Sequence, residues 1–164
     1  MTVRITAAVL TVSDRCSRGE SEDTAGPAVA QLLRDRLNAE VVGSACVPDD
    51  MDQIGEWLRH WASVDPLPNL IFTAGGTGLG PRDVTPEATL GVIERQHPGL
   101  IQLAYTRTAE KTVRTFLSRG VAGTLGETLI VNLPGSKKGA TEWVEALLDV
   151  LPHAVATMQG GGHS

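Results

Sequence analysis

Residues Asn69–Glu87 read NLIFTAGGTGLGPRDVTPE. The apolar run Asn69–Thr73 has the length of one short buried strand. It runs directly into Gly75-Gly76-Thr77-Gly78, followed by Gly80, so four glycines and a threonine share six positions. Thr85-Pro86-Glu87 then supplies a helix start: a capping hydroxyl, a proline at the first helical position and an acid in the first turn. A strand, a glycine loop and a helix start in this order let backbone N–H groups converge on an anion without Cβ obstruction, with the positive end of the helix behind them. An ordinary flexible turn is the plain alternative. Thr77, Arg82 and Asp83 occurring together just after an apolar strand weigh against it. The loop lacks the Gly-Lys-Ser/Thr ending of a Walker sequence. The first loop of the chain, Asp14–Gly19, does not carry the dinucleotide fingerprint either.

Outward from this stretch the chain alternates. Arg4–Ser13 is rich in β-branched residues and predicts a buried strand, followed by a polar loop over Asp14–Asp23. Thr24–Ala39 has helical spacing, with Pro27 near its start. Glu40–Val47 predicts a second strand, and Pro48-Asp49-Asp50 opens a helix containing Ile54, Trp57, Leu58 and Trp61. Downstream of Thr85 the helical pattern continues to about Gln96, breaks at His97-Pro98-Gly99, and resumes from Leu100 to Leu117. Thr128–Leu133 predicts a strand and Pro134–Gly139 a loop. Ala140–Met158 predicts a last helix bent at Pro152. Residues 1–159 are expected to form one domain, with a disordered tail over 160–164. Continuously apolar strands alternating with helices predict an α/β fold, a mostly parallel sheet covered on both faces. In such sheets ligands sit beyond the carboxyl ends of the strands, at a switch in strand order. That places four loops at one end: Asp14–Asp23, Pro48–Asp50, Gly75–Asp83 and Pro134–Gly139.

Those loops hold the residues with useful chemistry. Ser13, Asp14, Arg15, Ser17 and Arg18 follow the first strand and read either as ligand contacts or as a solvated loop with local ion pairs. Asp49 or Asp50 would serve as a plain helix cap. Alternatively, one of them pairs with Asp83 to hold Mg²⁺, which needs few protein oxygens and completes its shell with water and phosphate. No His or Cys neighbours suit zinc there. Pro134–Gly139 is either a further anion loop or a plain turn. Of 14 basic residues, Arg15, Arg18, Arg82, Arg119, Lys137 and Lys138 lie in or beside these loops. A chain of net charge −5 that gathers its cations there suits a polyanionic ligand. The same negative charge, with 4% aromatic residues, argues against nucleic acid. No apolar run reaches the ~20 residues of a membrane span, and no secretory signal is read at the N-terminus. Cys16 and Cys46 lack metal-type spacing and read as free thiols in a reducing, cytoplasmic setting. Trp57 and Trp61, at helical spacing, read as core or subunit contact, and the four histidines form no triad with a serine or cysteine.

Thr73–Thr89 closely resembles the signature of the molybdopterin-binding MogA/MoaB family. Val12–Arg15, Asp23–Pro27, Val47–Asp49, Leu117–Gly120 and Asn132–Ser136 match in order, so the resemblance covers about residues 4–158. It implies a three-layer α/β/α fold, usually a homotrimer. It further implies a nucleotidyltransferase that moves AMP from Mg-ATP to the molybdopterin phosphate and releases pyrophosphate in molybdenum cofactor biosynthesis. The alternative is a member that binds molybdopterin without reacting it. By motif position, Asp49 and Asp83 correspond to the family's essential acids and Ser118 to a serine at the ligand site; from their own chemistry Asp83 and Asp49 are also the expected Mg²⁺ ligands. Gly75, Gly76, Thr77, Gly78, Pro134, Gly135 and Ser136 fall on segments lining the pockets. Ser13, Asp14, Arg82, Thr85, Pro86, Glu87 and Arg119 complete the expected binding set. Lys137-Lys138 departs from relatives, which often carry proline or a small polar residue there. Molybdate insertion is expected to fall to a separate protein.

Overall fold

The computed structural model describes residues 4–161. Thirteen strands and helices follow the chain: β1 (Thr6–Val12), α1 (Asp14–Ser17), α2 (Ala25–Leu37), β2 (Glu40–Val47), α3 (Met51–Trp61), β3 (Leu70–Ala74), α4 (Thr85–Leu90), β4 (Arg95–Gln96), α5 (Pro98–Thr108), β5 (Ala122–Leu125), β6 (Thr128–Leu133), α6 (Lys137–Leu147) and α7 (Leu151–Met158). The strands form one six-stranded sheet in the order β2-β1-β3-β6-β5-β4. The first four in that order are mutually parallel, and β5 and β4 add an antiparallel edge.

Strand alternation divides the core into two layers. Ala7, Val9, Leu70, Phe72, Leu129 and Val131 face α2, α5, α6 and α7, around Val29, Leu33, Ala104, Trp143, Val144 and Val155. Ala8, Leu10, Ile71 and Ile130 face α3 and α4, around Ile54, Leu58, Trp61 and Ala88. This is the three-layer α/β/α sandwich, built on a mostly parallel sheet. The rings of Trp57 and Trp61 pack at a tilt of 57° with centroids 5.1 Å apart beside the second layer, Trp61 being buried.

One polar residue is buried where the sheet meets its loops. Asn132 of β6 donates from Nδ2 to Thr73 Oγ1 and Thr89 Oγ1, each at 2.9 Å, and its Oδ1 accepts the Val121 N–H at 3.0 Å. Those bonds tie β3, α4 and the approach to β5 together and leave its amide group fully partnered.

Three helical expectations are corrected. The helix from Thr85 stops at Leu90, because the Glu94 and His97 amides donate to Thr124 and Ala122 carbonyls and draw Arg95–Gln96 into the sheet. The helix expected over Leu100–Leu117 ends at Thr108 and is followed by a 3₁₀ turn, Val113–Leu117. Its end is fixed by buried hydroxyls: Thr108 Oγ1 lies 2.6 Å from Thr115 Oγ1, which also accepts the Trp143 indole N–H. The single last helix is two, α6 and α7. Pro152 stands in the first turn of α7, where its missing N–H costs least, and so starts a helix rather than bending one. Strand β5 was not anticipated; a two-residue turn, Gly126-Glu127, joins it to β6. The loop after β1 contains α1. The tail expectation meets Gly160 and Gly161 closing α7 with main-chain hydrogen bonds; positions 162–164 lie outside the described residues. Among the described residues no helix is long and apolar enough to cross a membrane.

Candidate functional site

Strands β3 and β6 run side by side in parallel, with Ala74 opposite Leu133. The chain leaves β3 for α4 on one face and leaves β6 for α6 on the other. The two loops therefore diverge and open a crevice at the carboxyl end of the sheet, the end at which such sheets bind ligands, one strand over from the β1/β3 pair where the strand order reverses. A cavity of about 640 Å³ lies there. Gly76, Thr77, Gly78 and Asp83 line one wall, Pro134–Gly135–Ser136 with Lys138 and Gly139 a second, and residues of the Thr112–Ser118 segment a third, with Thr108, Glu142 and Trp143 completing it.

The glycine loop has a conformation and a packing that require glycine. Gly75 and Gly76 hold φ of +111° and +70°. A Cβ on Gly75 would lie 2.2 Å from the Val12 carbonyl oxygen, and one on Gly76 would lie 2.2 Å from Thr85 Oγ1. That hydroxyl, fully buried, donates to the Gly75 carbonyl at 2.9 Å. Asp83 folds back so that its Oδ2 accepts the Gly80 N–H at 2.9 Å. Arg119 clamps the loop from outside. Its side chain donates to the Gly78 and Asp83 carbonyls at 2.8 and 2.9 Å and pairs with Glu87 at 2.8 Å, while its backbone N–H donates to the Thr77 carbonyl at 2.7 Å. Beside it, the buried Ser118 hydroxyl reaches Thr77 Oγ1 at 3.3 Å.

A second cluster stands behind Gly76. Asp14 and Asp49 cross-bond: each backbone N–H donates to the other's carboxylate, at 3.0 and 2.9 Å. Arg82 grips Asp14 with two hydrogen bonds of 2.9 Å, which holds the Asp14 carboxyl below its usual range. Asp49 moves the other way. Burial raises its pKa, and the Asp14 and Asp83 carboxylates add to the rise against the opposing Asp14 N–H bond. Asp49 Oδ1 lies 3.0 Å from where a Gly76 Cβ would be, and Asp83 Oδ2 lies 3.0 Å from a Cβ on Gly78. The two acids thus flank one loop. Asp50 takes the capping role, accepting from the Asp52 and Gln53 amides. Oxygen-only donors and clustered negative charge suit a hard divalent cation that keeps most of its shell as water and phosphate. Among the described residues no group of three or more His, Cys, Asp or Glu side chains stands together as a metal site.

The expected residues divide accordingly. Asp83, Ser118, Gly76, Thr77, Gly78, Pro134, Gly135 and Ser136 line the cavity. Asp49 and Gly75 lie directly behind its glycine wall, not on it. Thr85 and Pro86 are buried in the first turn of α4. Ser13 caps α1 through the Cys16 N–H. Asp14, Arg82, Glu87 and Arg119, read as ligand contacts, are paired with one another or with main-chain oxygens and hold loops in place. Sequence reasoning missed Thr112, Arg114 and Thr115, which a predicted continuous helix to Leu117 had hidden, and Glu142 and Trp143, which lie within the expected last helix. The exposed basic Arg114 within TVRTFLSRG, three residues after Lys111, was the available signal.

Comparison with known proteins identifies the family and the fold. Residues 8–153 match a family described as "Probable molybdopterin binding domain". The crystal structure of the molybdopterin biosynthesis enzyme MoaB from Thermus thermophilus superposes with a TM-score of 0.89 at 47% identity, covering 98% of this chain and 99% of that one. The Molybdopterin adenylyltransferase of Helicobacter pylori strain J99 is 35% identical over 153 residues, 93% of this chain and 86% of the relative. The Molybdenum cofactor synthesis protein cinnamon of Drosophila melanogaster is 43% identical over 152 residues, 92% of this chain. The chain spans only 25% of that relative's length.

Proposed function

This chain belongs to the molybdopterin-binding domain family, and on that premise we propose that it is an enzyme of molybdenum cofactor biosynthesis, a molybdopterin adenylyltransferase. In this reading the terminal phosphate of molybdopterin attacks the α-phosphorus of Mg-ATP. A P–O bond forms to give adenylyl-molybdopterin, and the bond to pyrophosphate breaks. The observation that carries the reading is one cavity, about 640 Å³, walled by the glycine loop with Asp83, by Ser118 and by Pro134–Ser136.

The chemistry asks for positioning and neutralisation more than for a strong base. A phosphate monoester has a second pKa of about 6 and is already largely dianionic at pH 7. The barrier lies in bringing two anions together and in the charge that grows on the leaving pyrophosphate. Asp83, with Asp49 behind Gly76, would hold the Mg²⁺ that accompanies ATP, and that ion supplies charge neutralisation at the phosphates. The Thr77 and Ser118 hydroxyls offer hydrogen bonds at the cavity wall. Arg119 keeps Asp83 and Gly78 in place through its main-chain bonds. A fixed array of this kind loses little energy to reorganisation as charge moves.

The test is to mix purified protein with molybdopterin and Mg-ATP and measure pyrophosphate. Release that depends on molybdopterin, and that Asp83→Asn abolishes while molybdopterin binding persists, supports the enzyme. Molybdopterin binding without pyrophosphate would leave the binding module of the same fold. A cytoplasmic homotrimer that hands its product to a separate molybdate-insertion protein belongs to the same reading; a scattering mass other than three chains would remove the trimer.

A further inference from the structure

We propose that Arg114 and Lys138 are the side chains that neutralise substrate phosphate in this chain, Arg114 for the phosphate monoester and Lys138 for the polyphosphate of the nucleotide. The inference rests on the adenylyltransferase reading and deepens it. The two arginines nearest the glycine loop cannot serve without breaking the loop. Arg82 has its fork filled by Asp14, and Arg119 by Glu87 and two carbonyls. Arg18, also in the loops, is paired with Glu20. The basic residues that line the cavity are Arg114 and Lys138. Both are exposed, and neither has an ion pair among the described residues.

They stand on different walls. Arg114 belongs to the 3₁₀ turn, between Thr112 and Thr115, with Ser118 next along that wall. Lys138 lies in the first turn of α6, just past Pro134–Ser136. Two separate cations match a reaction in which two phosphorylated substrates must approach each other. A planar guanidinium pairs two oxygens of one terminal phosphate, which suits the monoester. A lysine acts as a mobile point charge and suits a polyphosphate whose oxygens change partners as pyrophosphate leaves.

The experiment compares Arg114→Ala, Lys138→Ala, Arg114→Lys and, as a control of equal charge change off the cavity lining, Lys137→Ala. By pyrophosphate release, Lys138→Ala should raise KM for Mg-ATP about tenfold or more and leave KM for molybdopterin within about twofold; Arg114→Ala should do the reverse. Arg114→Lys should recover part of the loss, and Lys137→Ala should match the parent protein. Calorimetric titration with inorganic pyrophosphate gives a readout free of turnover: Lys138→Ala should weaken it about tenfold and Arg114→Ala should leave it unchanged. Either alanine variant leaving both KM values unmoved, or both KM values rising together, overturns the assignment. If the parent protein makes no pyrophosphate, the enzymatic reading falls, and the pyrophosphate titration still decides Lys138 separately.

Discussion

Replacing Gly76 by alanine tests whether the glycine wall is built as described. At φ of +70° an L-residue is strained, at a cost of about 1–2 kcal/mol. The new Cβ would also sit 2.2 Å from Thr85 Oγ1, so that hydroxyl must move and its fully buried bond to the Gly75 carbonyl must break. An unsatisfied buried partner costs about 1–3 kcal/mol. Together the loss is about 2–5 kcal/mol, a large share of the roughly 5–15 kcal/mol that holds a domain folded. Gly126→Ala is the reference. Gly126 holds φ of +58° in the β5–β6 turn with nothing within 4 Å of an added Cβ, so only the backbone term remains. Urea unfolding of both variants, at unchanged slope, should show Gly76→Ala less stable than Gly126→Ala by about 1–3 kcal/mol. Equal losses would refute the claimed contact between Gly76 and Thr85.

Arg119→Ala should lower kcat by about 100-fold, the scale of a misplacement near 1 Å at the reacting centre, and Arg119→Lys should not restore it because one ammonium cannot replace a fork that serves three acceptors. A kcat within about threefold of the parent would remove its positioning role. Acid should loosen the same loops. Asp14 and Glu87 are held below their ordinary 3.8 and 4.5 by Arg82 and Arg119, so they bind protons less readily folded than unfolded. Their stabilisation is complete above about pH 4.5 and drains away as pH falls through the depressed values. In Tm scans Glu87→Gln should fall less steeply below pH 4.5 than the parent, and parallel curves would contradict the pairing. Finally, the Cys46 thiol is pushed up to about 11, first by burial and then by neighbouring Cys16 and Asp23. At pH 8 it should carry about one-hundredth of an ordinary cysteine's thiolate and alkylate correspondingly slowly, as mass spectrometry after iodoacetamide would read.

Strand signals were legible because they are local: Thr128–Leu133, apolar and buried on both faces, and the half-exposed edge strand Glu40–Val47, rich in β-branched residues, stand as expected. Residues 91–96 were not, since their departure from helix depends on carbonyls of Ala122 and Thr124, some 30 positions away. The site divides in the same manner. Glycine density and the position of Asp83 after an apolar strand pointed correctly at the cavity wall. Arg82 and Arg119 looked like ligand cations because a sequence displays a charge but not its partner; Asp14 lies 68 positions from Arg82, and Glu87 lies 32 from Arg119. The choice between Asp49 and Asp50 likewise needed coordinates, which give the cap to Asp50 and leave Asp49 facing Asp14.

The knot at Asn132 sets how this end of the sheet can breathe. Its amide group joins Thr73, Thr89 and the Val121 amide, so no one of these can swing outward without stranding the others away from water. Local fraying is thereby expected to stay at the rim. Hydrogen exchange at the Val121 amide, a few residues from an open mouth, should therefore track the melting of the whole domain, and exchange as fast as at the loop amides would contradict this.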